Sequence, residues 1–254
     1  MAALVLRIFP RARLYVAKLD EKPGGLHGKR HITARSAAEA VEWAIRCKVD
    51  IISMSWTIEK SNKHQQEISG LKKALESAKS AGILMFCAAS DQGNSTGLSC
   101  YPAASNLCIR MGASTGTGER CDWVHPHDYD FLLPGDNVPL NLHIDDLPTE
   151  HSGSSVATAL ASGLGGLILY LARYSLRSPE FAALALTERA EMSTMFRYLA
   201  SYGGQTPQFP RSGLLSFLAG KNAKFKNEAD EAKQELKRFF IKEFKEKWSV
   251  KGSI

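Results

Sequence analysis

The apolar positions change period several times along the chain. Arg13 to Leu19 (RLYVAKL) is a short β-rich run, and the prolines and glycines of the following DEKPGGLHGKRH forbid regular structure. From Ser36, SAAEAVEWAIRCK places Ala37, Ala40, Val41, Ala44 and Ile45 on one helical face, with Ser36 and Glu39 forming a capping box. VDIISMS is then a continuous apolar run of strand length. Helical spacing returns from Ile68 through Leu71, Ala74, Leu75 and Ala78 to Gly82, and ILMFCAA is a second buried strand. Strand, helix, strand, helix, strand with short connections predicts an α/β fold, a mainly parallel sheet between helices in three layers.

Further strands are expected at Cys108 to Ala113 and Asp130 to Gly135, with an irregular stretch from Val138 to Gly153. SSVATALASGLGGLILYLARY then reads as a helix apolar all round, and such a helix is buried. Residues 1–200 form the main domain in this reading. A linker over 201–220 holds Pro207 and Pro210, and a charged amphipathic helix over 221–254 repeats Ala229, Ala232, Leu236, Phe240, Phe244 and Trp248 every three or four residues. That last helix either packs on the main domain or begins a partner-binding element.

Composition narrows the function classes. The chain has 254 residues, 44% hydrophobic and 23% charged, as in a soluble globular protein. Its net charge of +6 is spread out rather than gathered into a basic block, which argues against a nucleic-acid partner. No apolar run is read as reaching the ~18 residues of a membrane span. The opening MAALVLRIF is interrupted by Arg7 and stopped by Pro10, so no cleavable leader is read there; the compartment stays open, with the cytoplasm favoured. Cys47, Cys87, Cys100, Cys108 and Cys121 are odd in number and lack zinc spacing, so no metal or cofactor is expected. Cys87 and Cys108 read as buried apolar residues, while a bridge at Cys100 or Cys121 is left open.

Chemistry concentrates in SGSSVATALASG, residues 152–163. Ser155 stands at the start of the buried helix, where unpaired N–H groups and the positive dipole end can stabilise an oxyanion and small neighbours admit a carbonyl. The same placement suits an ordinary helix cap. All seven histidines precede Ser155, which excludes the serine, acid, histidine order of α/β-hydrolases.

These blocks resemble the subtilisin-like serine peptidases over roughly residues 1–175. GSSVA followed by Thr158 and Ala159 is similar to the family's Gly-Thr-Ser-Met-Ala signature, with Ser155 in the nucleophile position. VDIISMSW resembles the strand leading into the substrate-binding edge, which implies that Ser55, Trp56 and Thr57 line a groove where peptide adds as a strand. FCAASDQGN resembles the strand and turn of the oxyanion asparagine, with Asp91 at that position and Ala88, Ala89 and Ser90 on the substrate side. PRARLYVAKL, YPAAS and DFLLPG resemble three further family blocks in the same order.

The resemblance implies a serine endopeptidase acting on a polypeptide through an acyl-enzyme. It also implies that the aspartate strand and His-Gly-Thr helix would lie before Met1, with MAALVLRIF the remainder of that helix. His27 and His151 are read as ordinary loop histidines. On this expectation the chain is a fragment, inactive alone, whose sheet lacks a central member and folds poorly. Three departures are expected to matter. An ionised Asp91 accepts where asparagine donates, Ala159 replaces a proline, and Trp56 and Thr57 reshape the specificity pocket. The alternative is a non-catalytic module that keeps the peptide groove.

Overall fold

Four parallel strands, β3 (Ile51–Met54), β5 (Leu84–Ala88), β7 (Ile109–Ser114) and β8 (Phe131–Pro134), lie in the order β3-β5-β7-β8 in the computed structural model. It describes residues 1–22, 31–59, 65–93, 100–140, 150–175 and 185–199. The linker and helix expected over 201–254 lie outside the described residues, as do His27, His64 and His143.

Side-chain alternation in these strands builds the layers. In β5, Leu84 and Phe86 point to one face and Met85 and Cys87 to the other, each wholly or almost wholly buried. The second face is covered by α2 (Ala34–Arg46) and α3 (Gln65–Ser80), through Val41, Leu71, Leu75 and Ala78. Against the first lie α1 (Ala2–Ile8), α4 (Ser154–Ser175) and α5 (Arg189–Leu199). The three-layer α/β architecture is therefore the one the periodicity predicts.

Helix α4 is the axis of the first layer. A side-chain carbon on Gly163 would meet Ile8 Cβ and Val5 O at 2.9 Å, and one on Gly165 would meet the Phe86 ring at 2.9 Å. These glycines let α1 and the sheet approach the helix backbone. By length and a mean hydropathy of 1.7, residues 154–174 could cross a bilayer, which corrects the expectation that no run is long enough. With 78% of that stretch buried inside the protein, core packing accounts for its apolar surface.

The sequence reading needs correction at four further places. RLYVAKL does not join the sheet: residues 12–20 belong to no strand, and Val16 is 76% exposed. Helix α2 starts two residues before Ser36 because Thr33 is its N-cap and accepts the Ser36 N–H (3.2 Å); Glu39 pairs with Arg35 instead. Within the stretches expected to be irregular, β1 (Glu21–Lys22) pairs antiparallel with β2 (His31–Ile32), and β9 (Val138–Pro139) with β10 (Glu150–His151). Helix α5 was not anticipated, although Met192, Met195, Phe196 and Leu199 recur at helical spacing and are buried. The five cysteines form no disulfide with one another, and burial, then the neighbouring Cys108, pushes the Cys87 thiol up.

Asp130, just before β8, ties the edge of the sheet to α5. It accepts from the Arg110 N–H (2.9 Å), Arg110 Nη2 (2.9 Å) and Arg189 Nη2 (2.9 Å), while Arg189 Nε donates to Cys108 O (2.8 Å). Burial raises the Asp130 pKa, but the hydrogen bonds and charge of Arg110, with Arg189, together outweigh it and hold the carboxyl below its usual range. A lowered folded pKa means stability that is present above the ordinary carboxylate pKa and lost as pH falls through the folded value. Asp130→Asn is expected to cost about 2 kcal/mol at neutral pH, less than a fully buried pair because Arg189 is partly exposed. Urea unfolding at pH 7 and pH 3 checks this: the difference between the proteins shrinks at the lower pH.

Candidate functional site

The parallel strands all end beside the N-terminus of α4, and the residues there are held by a short chain of hydrogen bonds. Gly153 donates its N–H to Gly135 O (2.7 Å) and adopts φ +131°, a conformation suited to glycine. A side-chain carbon there would lie 3.2 Å from Asp91 Oδ2 and 3.3 Å from Ser155 Oγ, so glycine also leaves room between these two groups. Ser154 follows as the first residue of the helix and is wholly buried. Its Oγ accepts from Ala113 N–H on β7 (3.2 Å) and donates to Asp91 Oδ1 (2.6 Å), while its N–H donates to Asp91 Oδ2 (2.9 Å).

Asp91 thus reaches across from the end of β5 and caps α4 from outside, a carboxylate on the positive end of a helix. The residue as a whole is exposed, but its carboxylate is turned inward onto buried Ser154. Desolvation of that end pushes the pKa up, against the Ser154 side-chain and backbone hydrogen bonds that pull it down.

Ser155 is the second residue of the helix and half-buried. Among the described residues its N–H has no acceptor, as expected in a first helical turn. Ser55, just past β3, donates its hydroxyl to Ser155 O (3.1 Å). Ser55, Asp91 and Ser155 therefore converge at the head of α4. Trp56 instead packs against the α2 and α3 layer, and Thr57 leads into β4 (Ile58–Glu59), which pairs antiparallel with β6 (Cys100–Tyr101). Ala88, Ala89 and Ser90 are buried at the end of β5, and the Ala89 N–H is taken by Met111 O (2.8 Å).

Sequence reasoning missed Ser154, whose two bonds place Asp91; the Ser-Ser doublet was the available signal. It also missed Ser53 and Ser162, hydrogen-bonded at 2.8 Å between β3 and α4. The loop over 121–130 closes over the same end, where His125 N–H meets Ser90 O at 3.5 Å and Gly93 N–H donates to Trp123 O at 2.7 Å. Among the described residues no imidazole is hydrogen-bonded to the Ser155 hydroxyl, and His151 stands half-buried in β10. No three His, Cys, Asp or Glu side chains converge as a metal site among them.

Comparison with known proteins places these residues in a wider pattern. The subtilase family (peptidase S8) matches residues 3–206. The major intracellular serine protease of Bacillus subtilis (strain 168) is 28% identical over 159 residues, 61% of this chain and 45% of that protein. A subtilisin-like protease of Podospora anserina is 29% identical over 178 residues, covering 66% and 47%. The chain thus spans about half the length of these curated relatives. Among solved structures, a lanthipeptide protease superposes with a TM-score of 0.62 at 14% identity, over 82% of this chain and 71% of that one. A cold-adapted subtilisin-like serine proteinase gives 0.54 at 18% identity, over 74% and 64%. Both carry the same fold.

Proposed function

The chain belongs to the subtilase family, and from that membership we propose that it is the nucleophile-bearing part of a serine endopeptidase. The observation that carries the reading is the setting of Ser155, half-buried in the first turn of α4, its N–H free of any acceptor among the described residues and its carbonyl fixed by Ser55. In this reading the Ser155 Oγ attacks a peptide carbonyl, and the developing oxyanion is met by the Ser155 N–H at the positive end of the helix. A histidine accepts the hydroxyl proton and returns it to the leaving amine, and an aspartate orients that histidine. Polypeptide outside residues 1–254 supplies these two groups. Trp56 and Thr57 shape the pocket for the substrate side chain.

A second reading is favoured by one observation. The Asp91 carboxylate sits on the Ser154 N–H, beside the place an oxyanion needs, and an ionised carboxylate there repels it. On that reading the chain is a pseudo-peptidase that binds peptide without cleaving it.

Sequencing the 5′ end of the native transcript and labelling its product with a fluorophosphonate separates the two. The expected result is an in-frame aspartate and His-Gly-Thr segment, with one label per molecule mapped to Ser155. A native start at Met1 with an unlabelled product overturns the endopeptidase reading and leaves the binding module.

A further inference from the structure

The segment that leaves Ser55 and the segment that leaves Asp91 meet again a few residues on, where Gln92 Nε2 donates to Glu59 Oε1 at 2.6 Å. Ser55 already holds Ser155 O (3.1 Å), and Asp91 holds the Ser154 N–H (2.9 Å). The third link closes a ring through residues 55–59, 91–92 and 154–155. Trp56 and Ile58 pack into the α2 and α3 layer, whereas Ser55 and Glu59 turn to Ser155 and Gln92. In β4 this follows from the opposite directions of neighbouring side chains, and it points the Trp56 indole away from the ring. Behind the ring stands β6: Cys100 is the register partner of Glu59, and its buried thiol is hydrogen-bonded to Ser90.

The side chains around this ring are acidic. Glu59 is exposed, and its second carboxylate oxygen has no partner among the described residues. Asp91 differs, because both its oxygens are taken by Ser154 at the head of α4. Burial raises the Cys100 thiol pKa against the bond to Ser90, and Glu59 and Asp128 add to the rise, so both carboxylates act on the floor of the ring. Asp128 stands 3.7 Å from His125 Nδ1, and the His125 N–H meets Ser90 O. Among the described residues no lysine or arginine pairs with Glu59, Asp91 or Asp128, although the chain as a whole carries +6.

We propose that Glu59 selects a basic side chain, so that a peptide bound beside Ser155 carries a lysine or arginine laid against the 55–59 wall. This selection rests on the peptide groove that the endopeptidase reading and its alternative share, and not on whether Ser155 reacts. Gln92 fixes one Glu59 oxygen without neutralising the charge and leaves the other to accept an N–H. A bound peptide covers the exposed carboxylate and lowers the local dielectric, which strengthens its attraction for a cation. An apolar side chain gains no such contact, and an acidic one is repelled by Glu59 and Asp128.

The test uses the product of the native transcript carrying Ser155→Ala, so that bound peptide stays intact. Its probes are fluorescein-labelled Ala-Ala-Ala-X-Ala-Ala peptides with lysine, norleucine or glutamate at X, followed by fluorescence anisotropy. The lysine peptide is expected to bind at least about fivefold more tightly than the norleucine peptide, the scale for a pair that starts exposed, and the glutamate peptide more weakly than either. Raising the salt from about 0.05 to 0.5 M is expected to narrow the gap. Glu59→Gln is expected to abolish the lysine preference and Glu59→Lys to put the glutamate peptide first, a reversal that a merely structural role of Glu59 does not produce; circular dichroism verifies that both variants are folded. Equal affinity for lysine and norleucine overturns the proposal, and so does a lysine preference that survives Glu59→Gln. Absence of binding by every peptide overturns it together with the shared groove. The expected ranking in a protein whose Ser155 takes no fluorophosphonate label supports the proposal and sinks the endopeptidase reading alone.

Discussion

In a form of the protein that carries the upstream aspartate and histidine, Ser155→Ala is expected to lower kcat on a peptide substrate by on the order of 10⁶-fold, the scale for losing the nucleophile of a serine-histidine-aspartate triad. The loss falls on kcat rather than KM because the hydroxyl forms its bond in the transition state, while alanine leaves the groups proposed to bind the peptide untouched. Structural damage is not the cause to expect, since no side-chain hydrogen bond of Ser155 to a described residue is broken; Ser55 binds its backbone carbonyl, which alanine retains. Steady-state kinetics with a thermal melt as control checks this. A melt unchanged and a kcat reduced less than about tenfold would assign the chemistry to another group.

Asp91→Asn is expected to act in the opposite direction, raising kcat by about 10²–10³-fold at neutral pH, the range associated with one oxyanion donor. The asparagine Oδ1 can keep the bond from the Ser154 N–H while its Nδ2 takes the place of the carboxylate oxygen on the Ser154 hydroxyl, which puts N–H donors at the head of α4 where the native carboxylate supplies only negative charge. The pH dependence gives an independent sign. Desolvation holds the Asp91 pKa above its ordinary value, so as pH falls through the raised value the carboxyl gains a proton that it can donate, and the ratio of the two rates narrows. For stability, a raised folded pKa is a contribution present below the ordinary carboxylate pKa and lost as pH rises through the folded value. The native protein is therefore expected to lose stability relative to the variant across that interval. Kinetics from pH 5 to 8 and urea unfolding over the acid range test both parts, and the absence of any rate gain favours the peptide-binding reading.

Much of this protein is determined by its sequence alone, where the signal is local or repeats along an element. An unbroken apolar run of strand length made β5 legible as a strand, and the spacing of Leu71, Ala74, Leu75 and Ala78 made α3 legible as a helix, because a strand covered on both faces is apolar throughout and a helix repeats every 3.6 residues. The order of several short blocks pointed to the family, and Ser155 at the head of an apolar helix could be singled out before any coordinates. The family match and the three-layer fold agree with those readings.

Tertiary structure decided the features that depend on partners distant in sequence. RLYVAKL has β-forming residues, yet a strand exists only where a neighbouring edge lies within hydrogen-bonding reach, and here a cleft beside β3 intervenes. The apolar length of α4 resembles that of a membrane span until the packing of α1, the sheet and α5 around it is known. Asp91 could be placed near Ser155 from the order of blocks, but the direction of its carboxylate is set by Ser154, 63 residues away in the chain. That direction fixes whether the group can donate, accept or repel, because electrostatic and hydrogen-bond energies depend on orientation over a few ångströms, which a one-dimensional pattern does not encode.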